Sequence, residues 1–244
     1  MSYDWPRHRR EVHGVGGAGD FLRQIVFGGN DGIITTFAVV AGFAGAEATG
    51  TAEIGALAVL IFGLANLFAD ATSMGLGEVL AARSQAKLYA HQRAGQLAEL
   101  ADDPAGERAE LEQILRERGL SPGAAERVAG EMMSSPDFVA DLMMTYELDM
   151  PEAPGGNLYL GGLSTFVAFV LFGLMPLLPY VLMDPLAPQT FGWSVAATAV
   201  ALATLGALRA RVTREGLLQS LVETLGLGGI CAVVAYGVGA LVAG

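Results

Sequence analysis

Charged residues are scarce in this sequence, and they are unevenly placed. They make up 16% of the 244 residues, whereas an ordinary soluble domain carries about 25%. Four long stretches contain no charge at all: residues 33–46, 54–69, 158–183 and 190–208. Water-soluble folds rarely contain such stretches, whereas the hydrocarbon core of a bilayer requires them. The sequence therefore predicts a membrane protein.

Cysteine and histidine are also nearly absent. The one cysteine, Cys231, excludes an intrachain disulfide and a thiolate metal cluster. The three histidines lie outside the apolar stretches, and no HExxH, GxSxG or Ser–His pattern is present. The glycine pairs lack a phosphate-binding pattern, so we expect neither an enzyme nor an organic cofactor. A net charge of −11 disfavours nucleic acid as a partner and favours cations.

Five segments are long and apolar enough to cross a membrane as helices, which need about 20 residues each. They cover residues 21–46, 54–82, 158–183, 190–208 and 217–242. No strand-like alternation is present. The sequence thus predicts an all-α membrane protein with five transmembrane helices. Pro176 and Pro179 should kink or end the third of them.

The segment between the second and third spans has a different composition. Residues 83–156 hold 14 acidic and 7 basic residues. The second span should continue as one long helix through Leu100, followed by helices over about 105–118, 122–133 and 136–149. We predict four parts: an N-terminal segment (1–20), helices 1 and 2 (21–82), an acidic helical metal-binding domain (83–156) and helices 3 to 5 (157–244).

The 14 lysines and arginines indicate the orientation in the membrane. All of them precede or open the first span, lie between spans two and three, or join spans four and five. The positive-inside rule therefore predicts a cytoplasmic N-terminus and a cytoplasmic acidic domain. The polar N-terminus shows no signal peptide and no vacuolar signal. We therefore favour an integral, multi-pass protein of a bacterial inner membrane.

Polar side chains inside the spans are the first candidates for function, because each is costly in hydrocarbon. Asp31 lies in the first span. Along the second span, polar and thioether side chains recur every fourth residue, at Asn66, Asp70, Met74 and Glu78. Asp31, Asp70 and Met74 could line a path for a divalent ion. Alternatively, the carboxylates form hydrogen bonds across the bundle and Met74 only packs. Glu223 in the fifth span fits a structural pair and the pathway equally well.

The acidic domain offers a second set of candidates, since its carboxylates and methionines share helix faces. Such ligands suit Fe²⁺, Mn²⁺, Co²⁺ or Zn²⁺ better than Mg²⁺. The alternative is a solvated acidic helix face. The candidate ligands are Glu99, Glu107, Glu110, Met143, Met144 and Glu147.

Four motifs resemble the vacuolar iron transporter family: DGIITTFAVVAG at 31–42, SMGLG at 73–77, MMTYEL at 143–148 and GLMPLLPY at 173–180. The resemblance implies a five-span homodimer with a cytoplasmic metal-binding domain that moves Fe²⁺ out of the cytosol in exchange for protons. It places the family's membrane site on Asp31 and Met74 and its cytoplasmic ligands on the six residues above. Asn66 and Gln96 stand where that family has glutamates, and Asp70 would supply the missing charge in the membrane.

The resulting hypothesis is an Fe²⁺/proton antiporter for iron homeostasis, embedded in the lipid bilayer. A manganese exporter of the same fold is the nearest alternative, since Mn²⁺ and Fe²⁺ accept the same ligands. A metal-sensing membrane scaffold is another, although it would have no use for Asp31 and Asp70. We also expect a homodimer, whose close approach the small residues Gly42, Ala44 and Gly45 would permit.

Overall fold

The computed structural model describes residues 4–13, 21–48, 56–151, 157–184, 187 and 189–244. Every helix and strand assignment within these ranges is helical. The α-helices in chain order are α1 (Trp5–His13), α2 (Leu22–Ala48), α3 (Ala56–Asp102), α4 (Pro104–Glu117), α5 (Pro122–Met132), α6 (Pro136–Tyr146), α7 (Leu158–Gly173), α8 (Leu178–Leu182), α9 (Thr190–Thr213) and α10 (Leu217–Ala243). A 3₁₀ turn, Met175–Leu177, joins α7 to α8.

Five helical segments are long and apolar enough to cross a membrane. They are α2, α3, α7 together with α8, α9 and α10, which confirms the predicted five spans of an all-α integral membrane protein. The predicted continuation of the second span is also confirmed, because α3 runs unbroken for 47 residues to Asp102. Residues 49–55, 185, 186 and 188 lie outside the described residues, and they include the first two residues of the predicted second span, 54 and 55.

The chain divides into two compact units: Met1–Val79 with Asn157–Gly244, and Leu80–Gly156. In the first unit, α2 packs against α7, α9 and α10. Glycines allow the close approach of α7. A Cβ on Gly28 would lie 2.7 Å from the carbonyl oxygen of Thr165, and one on Gly32 would collide with the carbonyl of Phe169. Small residues are the usual means by which membrane helices approach backbone to backbone.

The opposite end of α2 meets α10 in the same way. A Cβ on Gly45 would collide with the carbonyl oxygen of Tyr236, and one on Gly239 would collide with that of Gly42. Gly42 and Gly45 therefore serve packing within one chain. Our expectation that they provide the surface for a second copy was wrong, because α10 of the same chain already occupies that face.

The third span is interrupted as its prolines predicted. Pro176 lies in the 3₁₀ turn and Pro179 in the first turn of α8. Proline has no backbone N–H, so the hydrogen-bond pattern of the helix is interrupted here. At this break, the Ser194 hydroxyl of α9 donates to the Pro176 carbonyl oxygen at 2.6 Å.

The second unit has its own apolar core. α4 packs against α5, and α6 contacts both. The fully or nearly buried core residues are Leu100, Leu111, Ala129, Val139, Ala140 and Met143. Asp103 caps α4 by accepting a hydrogen bond from the Gly106 backbone N–H at 3.0 Å. This unit thus contains the four helical pieces expected between the second and third spans.

α6 ends at Tyr146, three residues before the predicted end at Asp149. Asp149 has a φ of 55°, in the left-handed region, which typically terminates a helix. The N–H groups of Glu147 and Leu148 both turn back to the Met143 carbonyl oxygen. Residues 152–156, the end of the predicted acidic domain, lie outside the described residues.

Candidate metal sites

Four glutamates from three helices of the second unit act on one another electrostatically. Glu99 lies on α3, Glu107 and Glu110 on α4, and Glu147 caps the end of α6. Each of the other three contributes to the electrostatic environment of Glu107. The sequence reasoning placed these residues on separate helices, and the fold brings them into one acidic cluster.

Glu107 is the buried member of the acidic cluster, with a side chain only 8% exposed. Burial, followed by the charges of Glu110, Glu147 and Glu99, raises the pKa of Glu107 to about 7. Its Oε2 atom is buried, and no residue in the described part of the chain gives it a hydrogen bond. Burial and the charges of Glu110 and Glu99 also raise the pKa of Glu147. Within the described ranges, no basic side chain pairs with Glu107 or Glu147, and a cation would supply the missing positive charge.

Gln96 also belongs to this cluster. Its Nε2 donates to Glu99 Oε2 at 3.3 Å and to Glu147 Oε2 at 3.2 Å. The side chain is 4% exposed, and its Oε1 is buried without a partner. From the sequence we noted Gln96 as a departure from the family's glutamate, but we did not predict its contacts with Glu99 and Glu147. The spacing of three residues between Gln96 and Glu99 on one helix indicated the first of these contacts.

Both predicted methionine ligands, Met143 and Met144, are completely buried. Met143 is part of the apolar core of the second unit. Its burial therefore has a packing explanation, whereas Met144 lies outside that core cluster. No three or more His, Cys, Asp or Glu side chains in the described ranges are grouped so as to hold a metal ion as they stand. Ion binding would thus have to draw the glutamates together.

The predicted membrane-site residues lie on α2 and α3 in the first unit. Asp31 and Asp70 are both half-buried, and their charges interact. Asn66 donates its Nδ2 proton to Asp70 Oδ2 at 2.8 Å. Met74 is half-buried and packs near Leu67.

No basic side chain pairs with Asp31 or Asp70 among the residues that the structure describes. Asp31 lies about 14 Å along α2 from its first residue, at 1.5 Å per residue. A carboxylate at such a depth is costly unless it is paired or protonated or binds an ion. The bond from Asn66 to Asp70 stays within α3, so it differs from the hydrogen bond across the bundle that was the structural alternative.

A second acid–amide contact joins α2 and α3 nearer the start of α2. Gln24 Nε2 donates to Glu78 Oε1 at 3.1 Å. Arg23 lies 3.8 Å from the same carboxylate and is largely exposed. Glu78 thus has a basic side chain nearby, whereas Asp31 and Asp70 have none among the described residues. Gln24 was not predicted from the sequence. Only its position two turns before Asp31, on the same face of the helix, indicated a role near that carboxylate.

Glu223 of α10 has a different role from these carboxylates. Its Oε2 lies 2.5 Å from Arg209 of α9, and its Oε1 accepts from Gln219 at 3.0 Å. Arg209 also contacts Glu215 at 3.1 Å. Of the two alternatives for Glu223, the structure favours the structural pair.

The sequence is similar to known proteins over most of its length. The VIT family model matches residues 22–240. Vacuolar iron transporter 1 of Arabidopsis thaliana is 33% identical over 229 residues, covering 94% of this chain and 88% of that protein. The vacuolar iron transporter of Toxoplasma gondii is 30% identical over 230 residues, covering 91% and 74%. This chain belongs to the VIT family.

Proposed function

We propose that this protein is a divalent-metal transporter that moves Fe²⁺ out of the cytoplasm in exchange for protons. The observation that carries the proposal is the pair Asp31 and Asp70, two interacting carboxylates in the spans that have no basic partner among the described residues. A transiting cation or a proton is the partner that remains. The relatives named above are iron transporters by name, which supports Fe²⁺ as the substrate.

The acidic cluster would collect the ion before it enters the membrane. Its partnerless buried oxygen, on Glu107, and its unneutralised glutamates favour a divalent cation. The orientation predicted from the lysines and arginines would place this cluster in the cytoplasm. In this scheme the acidic cluster and the Asp31–Asp70 pair act on the same ion in succession.

Proton exchange follows from the chemistry of the two carboxylates. A carboxylate binds a divalent ion only when deprotonated, so metal binding releases protons and protonation releases metal. Protons arriving from the outer side would displace the ion there. The same carboxylates would then carry protons inward.

Flux into proteoliposomes containing a metal-sensitive dye tests the proposal. With an acidic lumen, Fe²⁺ should enter and the lumen should lose protons, whereas without a pH gradient the entry should slow. Mn²⁺ supplied alone and in competition separates an iron transporter from a manganese exporter. A scaffold would give no flux with either ion.

Two matched variants test the assignment of the pathway. Asp31→Asn keeps the shape of the side chain and removes its charge, so it should abolish flux while metal binding to the acidic cluster persists. Glu223→Gln is the control, because it changes an in-span carboxylate that already has a basic partner. It should transport at close to the wild-type rate. Wild-type flux in Asp31→Asn would contradict the assigned pathway.

A further inference from the structure

The amide of Gln96 lies where two like charges approach each other. Its Nε2 carries two protons and bonds both to Glu99 on its own helix and to Glu147, 51 residues later. Two carboxylates sharing one donor group would otherwise repel each other. In the metal-free cluster, the amide nitrogen thus reduces the repulsion between the two carboxylates, as a cation between them would.

The oxygen of the same amide has no hydrogen-bond partner among the residues that the structure describes. Gln96 is 4% exposed, and its Oε1 is a buried acceptor without a donor. Glu107 Oε2 is a second such acceptor in the same cluster. Buried acceptors are normally satisfied, so the unsatisfied Glu107 oxygen indicates a missing proton or cation in the cluster. The Gln96 oxygen would gain a partner if the amide turned it toward such a cation.

We propose that Gln96 substitutes for the metal ion in the empty site and becomes a ligand of the occupied one. Without metal, its N–H groups hold Glu99 and Glu147 together. When a divalent ion binds between the two carboxylates, the amide turns and presents Oε1 to the ion. The terminal torsion of glutamine is broad and roughly two-fold, so this turn requires no change in the backbone. The inference rests on the proposed role of the acidic cluster in metal binding.

The charge of the cluster explains the value of an amide at this position. A glutamate at residue 96 would add a fifth carboxyl group to Glu99, Glu107, Glu110 and Glu147. The empty site would then be harder to keep folded, although an ion would be held more tightly. Gln96 supplies a ligand oxygen without that additional repulsion.

The test uses the full-length protein in detergent, with Co²⁺ as an air-stable probe. Calorimetry gives the affinity and the number of ions, and thermal unfolding gives the stability without metal. Gln96→Leu removes both the donor and the oxygen, so Co²⁺ should bind at least tenfold more weakly, about 1.4 kcal/mol. Gln96→Glu keeps the shape. This variant should have a lower melting temperature without metal, and Co²⁺ should raise its melting temperature by more than in the wild type.

Gln113 of α4 provides matched controls, because it is exposed and donates to Glu117 on its own helix at 2.8 Å. Gln113→Leu and Gln113→Glu make the same chemical changes in the same unit. Both should bind Co²⁺ with wild-type affinity and stoichiometry.

Wild-type Co²⁺ binding in Gln96→Leu would overturn the inference, as would an unchanged metal-free melting temperature in Gln96→Glu. The double variant Glu107→Gln with Glu110→Gln separates this failure from that of the proposed function. If the double variant loses Co²⁺ while Gln96→Leu retains it, only the role of Gln96 is wrong. If the double variant also binds normally, the acidic cluster is not the metal site.

Discussion

Asn66 donates to Asp70 across one turn of α3, with 2.8 Å between Nδ2 and Oδ2. This contact gives Asp70 a neutral donor without compensating its negative charge. The carboxylate is therefore held in place yet remains available to a cation. The same combination of amide and carboxylate occurs between Gln24 and Glu78.

Asn66→Ala should slow flux and have only a small effect on stability. Hydrogen bonds between polar side chains in membrane proteins contribute about 0.6 kcal/mol on average. Loss of this bond frees the Asp70 side chain, so the rate should fall more than the stability. Proteoliposome flux and thermal unfolding measure the two effects. Equal flux in Asn66→Ala and wild type would show that Asp70 does not need this donor.

The metal-free protein should lose stability as pH rises from about 4.5 through about 7. The folded protein holds the Glu107 proton more tightly than the unfolded chain, because its pKa is raised from 4.5 to about 7. A raised carboxyl pKa stabilises the folded state while the group is protonated. This contribution is lost as pH rises through the pKa of the folded state. Thermal unfolding between pH 5 and 8, followed by circular dichroism, measures it.

Glu107→Gln should flatten that pH dependence, since the amide does not titrate. Wild-type affinity for Co²⁺ should move in the opposite direction, increasing as pH rises through about 7. A stability profile in Glu107→Gln identical to that of wild type would assign the pH dependence to other groups.

Gly239→Ala should destabilise the first unit by about 1–3 kcal/mol, the usual cost of overpacking. The added Cβ would collide with the Gly42 carbonyl oxygen. Gly237 is the matched control on the same helix, because a Cβ there has no neighbour within 4 Å. Gly237→Ala should be neutral or slightly stabilising. Equal melting temperatures for the two variants would contradict the close α2–α10 contact.

A homodimer remains our prediction for the assembled protein. Light scattering corrected for detergent should give twice the chain mass of 25.3 kDa. Since Gly42 and Gly45 already pack against α10, the partner must use another surface. A chain that stays monomeric at every concentration would rule out the dimer.

The fold was predictable from the sequence because hydropathy and proline carry most of its information. The apolar stretches located all five spans, and Pro176 and Pro179 located the break in the third. The end of α6 was not predicted, because a left-handed backbone, which Asp149 adopts here, is uncommon outside glycine. The helix at Trp5–His13 was also missed, because this short segment is polar and rich in charged residues.

The candidate site was less predictable, because its contacts join residues distant in sequence. Spacing within helices predicted the candidate glutamates and the positions of Asn66 and Asp70 one helical turn apart. The bond between Gln96 and Glu147 depends on how α6 packs against the rest of its unit, which no local pattern encodes. The same is true of Arg209 and Glu223 on α9 and α10.

The glycine contacts of α2 restrict how the first unit can move. Gly28 and Gly32 bring its backbone against α7, and Gly42 and Gly45 bring it against α10. Contacts between backbones have no flexible side chains to deform, so sliding or tilting α2 alone would produce collisions. If these helices move during a transport cycle, they must move as one block, with Asp31 fixed to it.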